Sequence, residues 1–181
     1  MTGEIEHLQQ RLAAEGEKVA GFFEALSPGD WDRRVYTTGS QWAVRHVLAH
    51  FVSAERAYLY FMRDVVGGGS GVPPDFDIDA FNESEVPSLG LRPPVELLRA
   101  LRQARAETVA FVGGLALPDL DRRGYHPWFG DADLRFMLKL TYRHPMLHLR
   151  DVRQALETGA PIPHGEGYSS FARDSTQRGG S

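Results

Sequence analysis

His144 and His148 stand four residues apart in LTYRHPMLHLRDV, and His50 lies far upstream in WAVRHVLAHFVSAERA. On a helix with 3.6 residues per turn, side chains at i and i+4 project from one face, so the pair can grip one ion. A third imidazole from a second helix would complete a three-nitrogen site with coordination positions left open, the mark of a catalytic metal site. Burying three imidazoles without partners is costly, whereas convergence on one divalent ion satisfies all of them.

The other titratable residues carry less. His46 forms a second i,i+4 pair with His50 but shares its stripe with Trp42, Ser53 and Arg56, so it reads as a surface or supporting residue. Asp151 follows His148 by three and could orient an imidazole through its second ring nitrogen, or pair with Arg150 or Arg153. Glu55 is a weaker candidate for the same supporting role beside His50. His126 sits in the loop YHPWF beside Trp128; it could reach into a cavity mouth, but loop histidines are more often merely exposed. His7 and His164 lie near the chain ends and receive no role. GGGSG follows a helix and lacks Lys-Ser/Thr, so it is no phosphate loop, and no GxSxG elbow is present.

The elements that must position these residues are helices. Apolar stripes predict a first helix over about Glu4 to Leu26 and a second over Gln41 to Val66 with Ser40 as its cap. GGGSGVPP then breaks the chain, and DIDAFNESEV offers a short helical turn inside a long connection. A third helix begins at Pro94 and frays at Gly113-Gly114. A fourth starts after Asp131, a candidate cap, and runs past Ala155, with Pro145 as an internal distortion. No stretch alternates convincingly enough to be a strand. The expectation is an all-α four-helix bundle over 1–160, with a long crossover between the second and third helices, followed by an irregular tail over 161–181.

The chain has 181 residues, 42% hydrophobic and 24% charged, with a net charge of −4. That suits one domain with a real core. There is no basic run, which argues against nucleic acid, and no apolar stretch of membrane-spanning length. The N-terminus lacks a secretory h-region and cysteine is absent, so cytoplasmic residence is the default. Any thiol chemistry would need an external cosubstrate.

SQWAVRHVLAHFVSAERAYL resembles the second-helix signature of the DinB/YfiT-like superfamily, where a tryptophan (Trp42) precedes a histidine (His50) by eight. FDIDAFNESEV, with Asn82, is similar to the following segment of the mycothiol-dependent maleylpyruvate isomerase branch, and GDADLRFMLKLTYRHPMLHLRDVRQAL to the closing helix. The resemblance implies a four-helix bundle, often a homodimer, with zinc or nickel on His50, His144 and His148. It further implies a small-molecule substrate and a low-molecular-weight thiol as cosubstrate, with Asn82, His126 and Trp128 shaping the pocket. A metal-dependent thiol transferase or isomerase is the leading expectation. A hydrolase using water, or a non-catalytic ligand-binding bundle, are the alternatives.

Overall fold

The computed structural model describes residues 3–126 and 129–164. Among these residues there are five α-helices: α1 (Glu4–Glu24), α2 (Val44–Val66), α3 (Ile78–Gly90), α4 (Pro94–Gly113) and α5 (Leu134–Thr158). α4 and α5 each pack against both α1 and α2, which makes these four the bundle. α3 lies against α2 within the crossover and is a full 13-residue helix where the sequence suggested only a turn. Asp77 starts it by accepting the Ala80 amide at 3.0 Å. Among the described residues no helix is long and apolar enough to cross a membrane.

One small sheet departs from the all-helical expectation. β1 (Arg123–His126) and β2 (Gly130–Asp133) pair antiparallel, with Arg123 opposite Asp133 and His126 opposite Gly130. This pairing displaces the expected cap of α5. Asp131 belongs to β2 and its carboxylate takes Arg123 at 2.6 Å, so Asp133 caps instead, accepting the Phe136 amide at 2.7 Å. At the other end Gly159 adopts φ 70°, the left-handed stop that glycine permits.

The start of α2 also moves. Ser40 is not its cap; the helix begins at Val44, and the Nδ1 of His46 accepts the Ala43 amide at 3.2 Å. The opposite edge of the His46 ring packs on Gly90 at the end of α3, where any Cβ would lie 2.7 Å from Cδ2. His46 is thus a half-buried cap and spacer between helices.

Apolar side chains form two clusters. One gathers Phe23, Tyr36, Val47, Leu48, Phe51, Leu97 and Val152; the other gathers Leu8, Leu12, Met62, Leu120, Leu134 and Leu138. Buried polar residues sit among these apolar ones on each bundle helix: Glu15 on α1, His50, Ser53 and Glu55 on α2, Arg105 and Thr108 on α4, and Thr141, His144, His148 and Asp151 on α5. A polar layer inside a bundle survives only if its members satisfy one another or a ligand.

Candidate metal centre

His50 of α2 and His144 and His148 of α5 are all buried and turn their rings toward one point. The Nε2 of His144 lies 3.1 Å from the Nε2 of His50 and 3.1 Å from that of His148. At most one of these contacts can be a full hydrogen bond, because a ring nitrogen carries either one proton or one lone pair. Desolvation pushes all three imidazoles below their usual pKa, and each also feels its histidine neighbours. His144 falls to about 4, through burial first and then His126 and His164. For His50, the Asn82 side chain opposes the shift. All three are therefore neutral at pH 7, the form that binds metal.

One supporting contact comes from Tyr36, which lies outside the stretches that sequence periodicity places. The Tyr36 hydroxyl sits 2.7 Å from Nδ1 of His148 and donates to Asp151 Oδ2 at 3.2 Å. With its proton directed to Asp151, the phenol oxygen accepts from His148 Nδ1–H, leaving the Nε2 lone pair facing the centre. Asp151 therefore reaches His148 through Tyr36, while its other oxygen pairs with Arg150 at 3.0 Å. Trp42 covers His50, their ring centroids 4.8 Å apart. Tyr36 and Trp42 are held together because Val35 donates its amide to the Trp42 carbonyl at 2.8 Å.

Glu55 does not face the imidazoles. Its oxygens are taken by Arg105 at 2.9 Å and Thr108 at 2.8 Å, so it has a different task. Burial still raises its pKa against the pull of Arg105. His164, given no role by sequence, is seated at the site: the stretch after α5 pairs Ile162 with Tyr36, and the His164 ring lies 4.4 Å from that of Tyr36. No sequence signal marks this, since Ile162 and His164 lie beyond the last periodic stretch.

A cavity of about 320 Å³ opens over the three histidines. Asn82 and His126 line it; Trp128 lies outside the described residues. His126 stacks on Tyr58 with planes 25° apart, and burial holds its pKa down to about 4. A narrower arm of about 60 Å³ runs on between Ala54, Ala57, Phe61, Val72, Phe76 and Phe81.

The donor set fits a divalent ion. Zinc with nitrogens at about 2.0–2.1 Å in tetrahedral array would set them about 3.3 Å apart, close to the spacing found. Three neutral imidazoles suit zinc, nickel and similar ions better than hard oxygen-seeking cations.

Comparison with known proteins bears on the family and the fold. The family model described as the DinB superfamily matches residues 11–152. Among solved structures, the chain is similar to YfiT from Bacillus subtilis, described as a probable metal-dependent hydrolase with an unusual four-helix bundle topology. That match has 18% identity and a TM-score of 0.69, over 88% of this chain and 91% of that one. It is also similar to the sibling lethal factor precursor DfsB, at 16% identity, TM-score 0.67, 89% of this chain and 99% of that one. An uncharacterised protein from Clostridium difficile 630 matches at 14% identity and TM-score 0.67, over 87% of this chain and 98% of that one. No curated protein matches the sequence. At these identities the structural likeness speaks for the fold alone. The family match covers most of the chain, and the chain belongs to the DinB superfamily.

Proposed function

We propose that this protein is a divalent-metal-dependent enzyme acting on a small molecule, with His50, His144 and His148 as its ligands and zinc or nickel as the ion. The observation that carries this is the convergence of three buried, neutral Nε2 atoms at the floor of a cavity large enough for substrate. Held there, a divalent ion supplies Lewis acidity and favours the deprotonated form of a thiol or water that reaches it.

The chain's own residues divide the remaining work. Tyr36 and Asp151 orient His148. Trp42, Phe129, Leu140 and Leu147 keep the cavity apolar and exclude water. Asn82 offers the amide that can orient a polar substrate group. His126 lines the same cavity and is held neutral at pH 7 by burial.

Transfer or isomerisation with a low-molecular-weight thiol is the favoured reaction. The chain has no cysteine of its own to serve as nucleophile. Among the described lining residues there is no Arg or Lys, and Asp79 is the one carboxylate. A thiol rich in carboxylates, such as glutathione, would meet no Arg or Lys among those lining residues, so an uncharged, hydroxyl-rich thiol such as mycothiol fits better. Hydrolysis is the second reading, favoured by the likeness to YfiT.

The test is metal analysis of the purified protein before and after reconstitution with zinc or nickel, followed by assays against a thiol panel and an ester and amide panel. Stoichiometric metal with thiol-dependent turnover is expected. Metal-dependent hydrolysis without thiol would select the second reading. No stoichiometric metal after reconstitution would leave a non-catalytic ligand-binding bundle.

A further inference from the structure

A proline inside a helix removes a backbone donor and strands the carbonyl four residues earlier. In α5 the proline is Pro145, and the stranded carbonyl is that of Thr141, one turn before His144. Both residues are buried, so water cannot easily serve as the replacement. The missing donor comes from another helix. Arg105 of α4 places Nη2 3.1 Å from the Thr141 oxygen. The same nitrogen lies 2.9 Å from Oε2 of Glu55 on α2, and Nη1 lies 3.3 Å from the Leu12 carbonyl on α1.

One guanidinium thereby touches all three other helices of the bundle. Its stem passes over Gly16 of α1, where a Cβ would come within 2.8 Å of the Arg105 Cγ, so glycine keeps the passage open. Thr108 secures the second oxygen of Glu55 at 2.8 Å. Glu55 lies little more than a turn beyond His50, and Thr141 a turn before His144.

We infer that Arg105 is a positioning residue for the metal site: it replaces the hydrogen bond that Pro145 removes and ties that turn of α5 to Glu55 of α2. The inference rests on the reading that the three histidines hold a divalent ion. An ion needs Nε2 atoms from two helices held in tight register. Pro145 loosens one of those helices at the ligand-bearing turn, since internal prolines kink helices. Arg105 counters this with a planar fork that holds several acceptors at once. Lysine could still neutralise Glu55, but as a compact point charge it would not reproduce the fork.

Cobalt(II) is the probe, titrated into metal-free protein and followed by visible absorption. The set is wild type, Arg105→Lys, Pro145→Ala and the double variant. Arg105→Lys is expected to weaken cobalt binding about 10-fold and to alter its ligand-field bands. Pro145→Ala returns an N–H to the Thr141 carbonyl, so the double variant should recover most of that loss, while Pro145→Ala alone changes affinity little. Wild-type affinity and spectrum in Arg105→Lys, or a double variant no better than Arg105→Lys, overturns the inference. Should Arg105→Lys fail to fold, the neutral pair Glu55→Gln/Arg105→Met takes its place, with the same loss and the same rescue expected. Wild type that binds no cobalt overturns the metal reading itself. Wild type that binds, alongside an indifferent Arg105→Lys, overturns only the positioning role.

Discussion

The Tyr36 hydroxyl lies 2.7 Å from Nδ1 of His148, a contact between residues 112 positions apart that sets which nitrogen of His148 faces the centre. Outer partners of this kind orient a ligand and raise its basicity. Tyr36→Phe keeps the ring and its packing but removes the oxygen. Metal affinity should fall about 10- to 100-fold, measured by competition with a chelator of known affinity. Unchanged affinity would show that His148 does not depend on the phenol.

Each of His50→Ala, His144→Ala and His148→Ala should lose stoichiometric metal. In wild type a ligand that binds only the folded state raises stability, by about 2.7 kcal/mol at 100 times its Kd. Thermal melts with and without zinc should therefore separate for wild type and coincide for the three variants. A zinc-dependent shift that survives in any one of them would remove that residue from the ligand set.

The metal-free protein should lose stability in mild acid. Burial lowers the pKa of His50, His144, His148 and His126, with His144 and His126 falling to about 4. The unfolded chain takes up protons near the ordinary histidine value of about 6.5, and the folded chain resists them. This stability is fully present above pH 6.5 and declines as pH falls toward 4. Denaturant titrations with chelator present, at pH 7.5, 6 and 5, measure it; a flat profile would contradict the burial of neutral imidazoles.

Phe23 is fully buried, stacks on Trp31 at 5.9 Å and meets Phe51 edge-on at 5.8 Å. Phe51 in turn lies 5.7 Å from the His148 ring. Phe23→Ala should cost about 3–5 kcal/mol in urea unfolding, the range for an emptied aromatic site. A loss below about 1 kcal/mol, typical of surface changes, would mean that the cluster collapses to fill the gap.

The bundle was legible because amphipathic helices announce themselves through apolar spacing alone. Leu8, Leu12, Val19 and Phe23 mark α1, and Leu134, Met137, Leu138 and Val152 mark α5. The two-stranded sheet was not legible: RGYH and GDAD are four residues each and hold no β-branched residue. The caps Ser40 and Asp131 were misplaced for a related reason. Several polar residues near a helix start can cap it, and the pairing of its neighbours decides which one does.

Helical periodicity reaches about one turn, so sequence alone determined that His144 and His148 share a face of one helix and that His50 lies on a buried stripe of another. It also determined that Pro145 must strand the Thr141 carbonyl, because a missing N–H is a covalent fact. Only the tertiary structure decided what answers these local facts. His50 meets His144 across 94 residues, Tyr36 reaches His148, His164 folds back to the cavity, and Arg105 supplies the donor that Pro145 lacks. Those partners come from separate segments, and which segments meet is settled by how the whole core packs, a property no short window of residues contains.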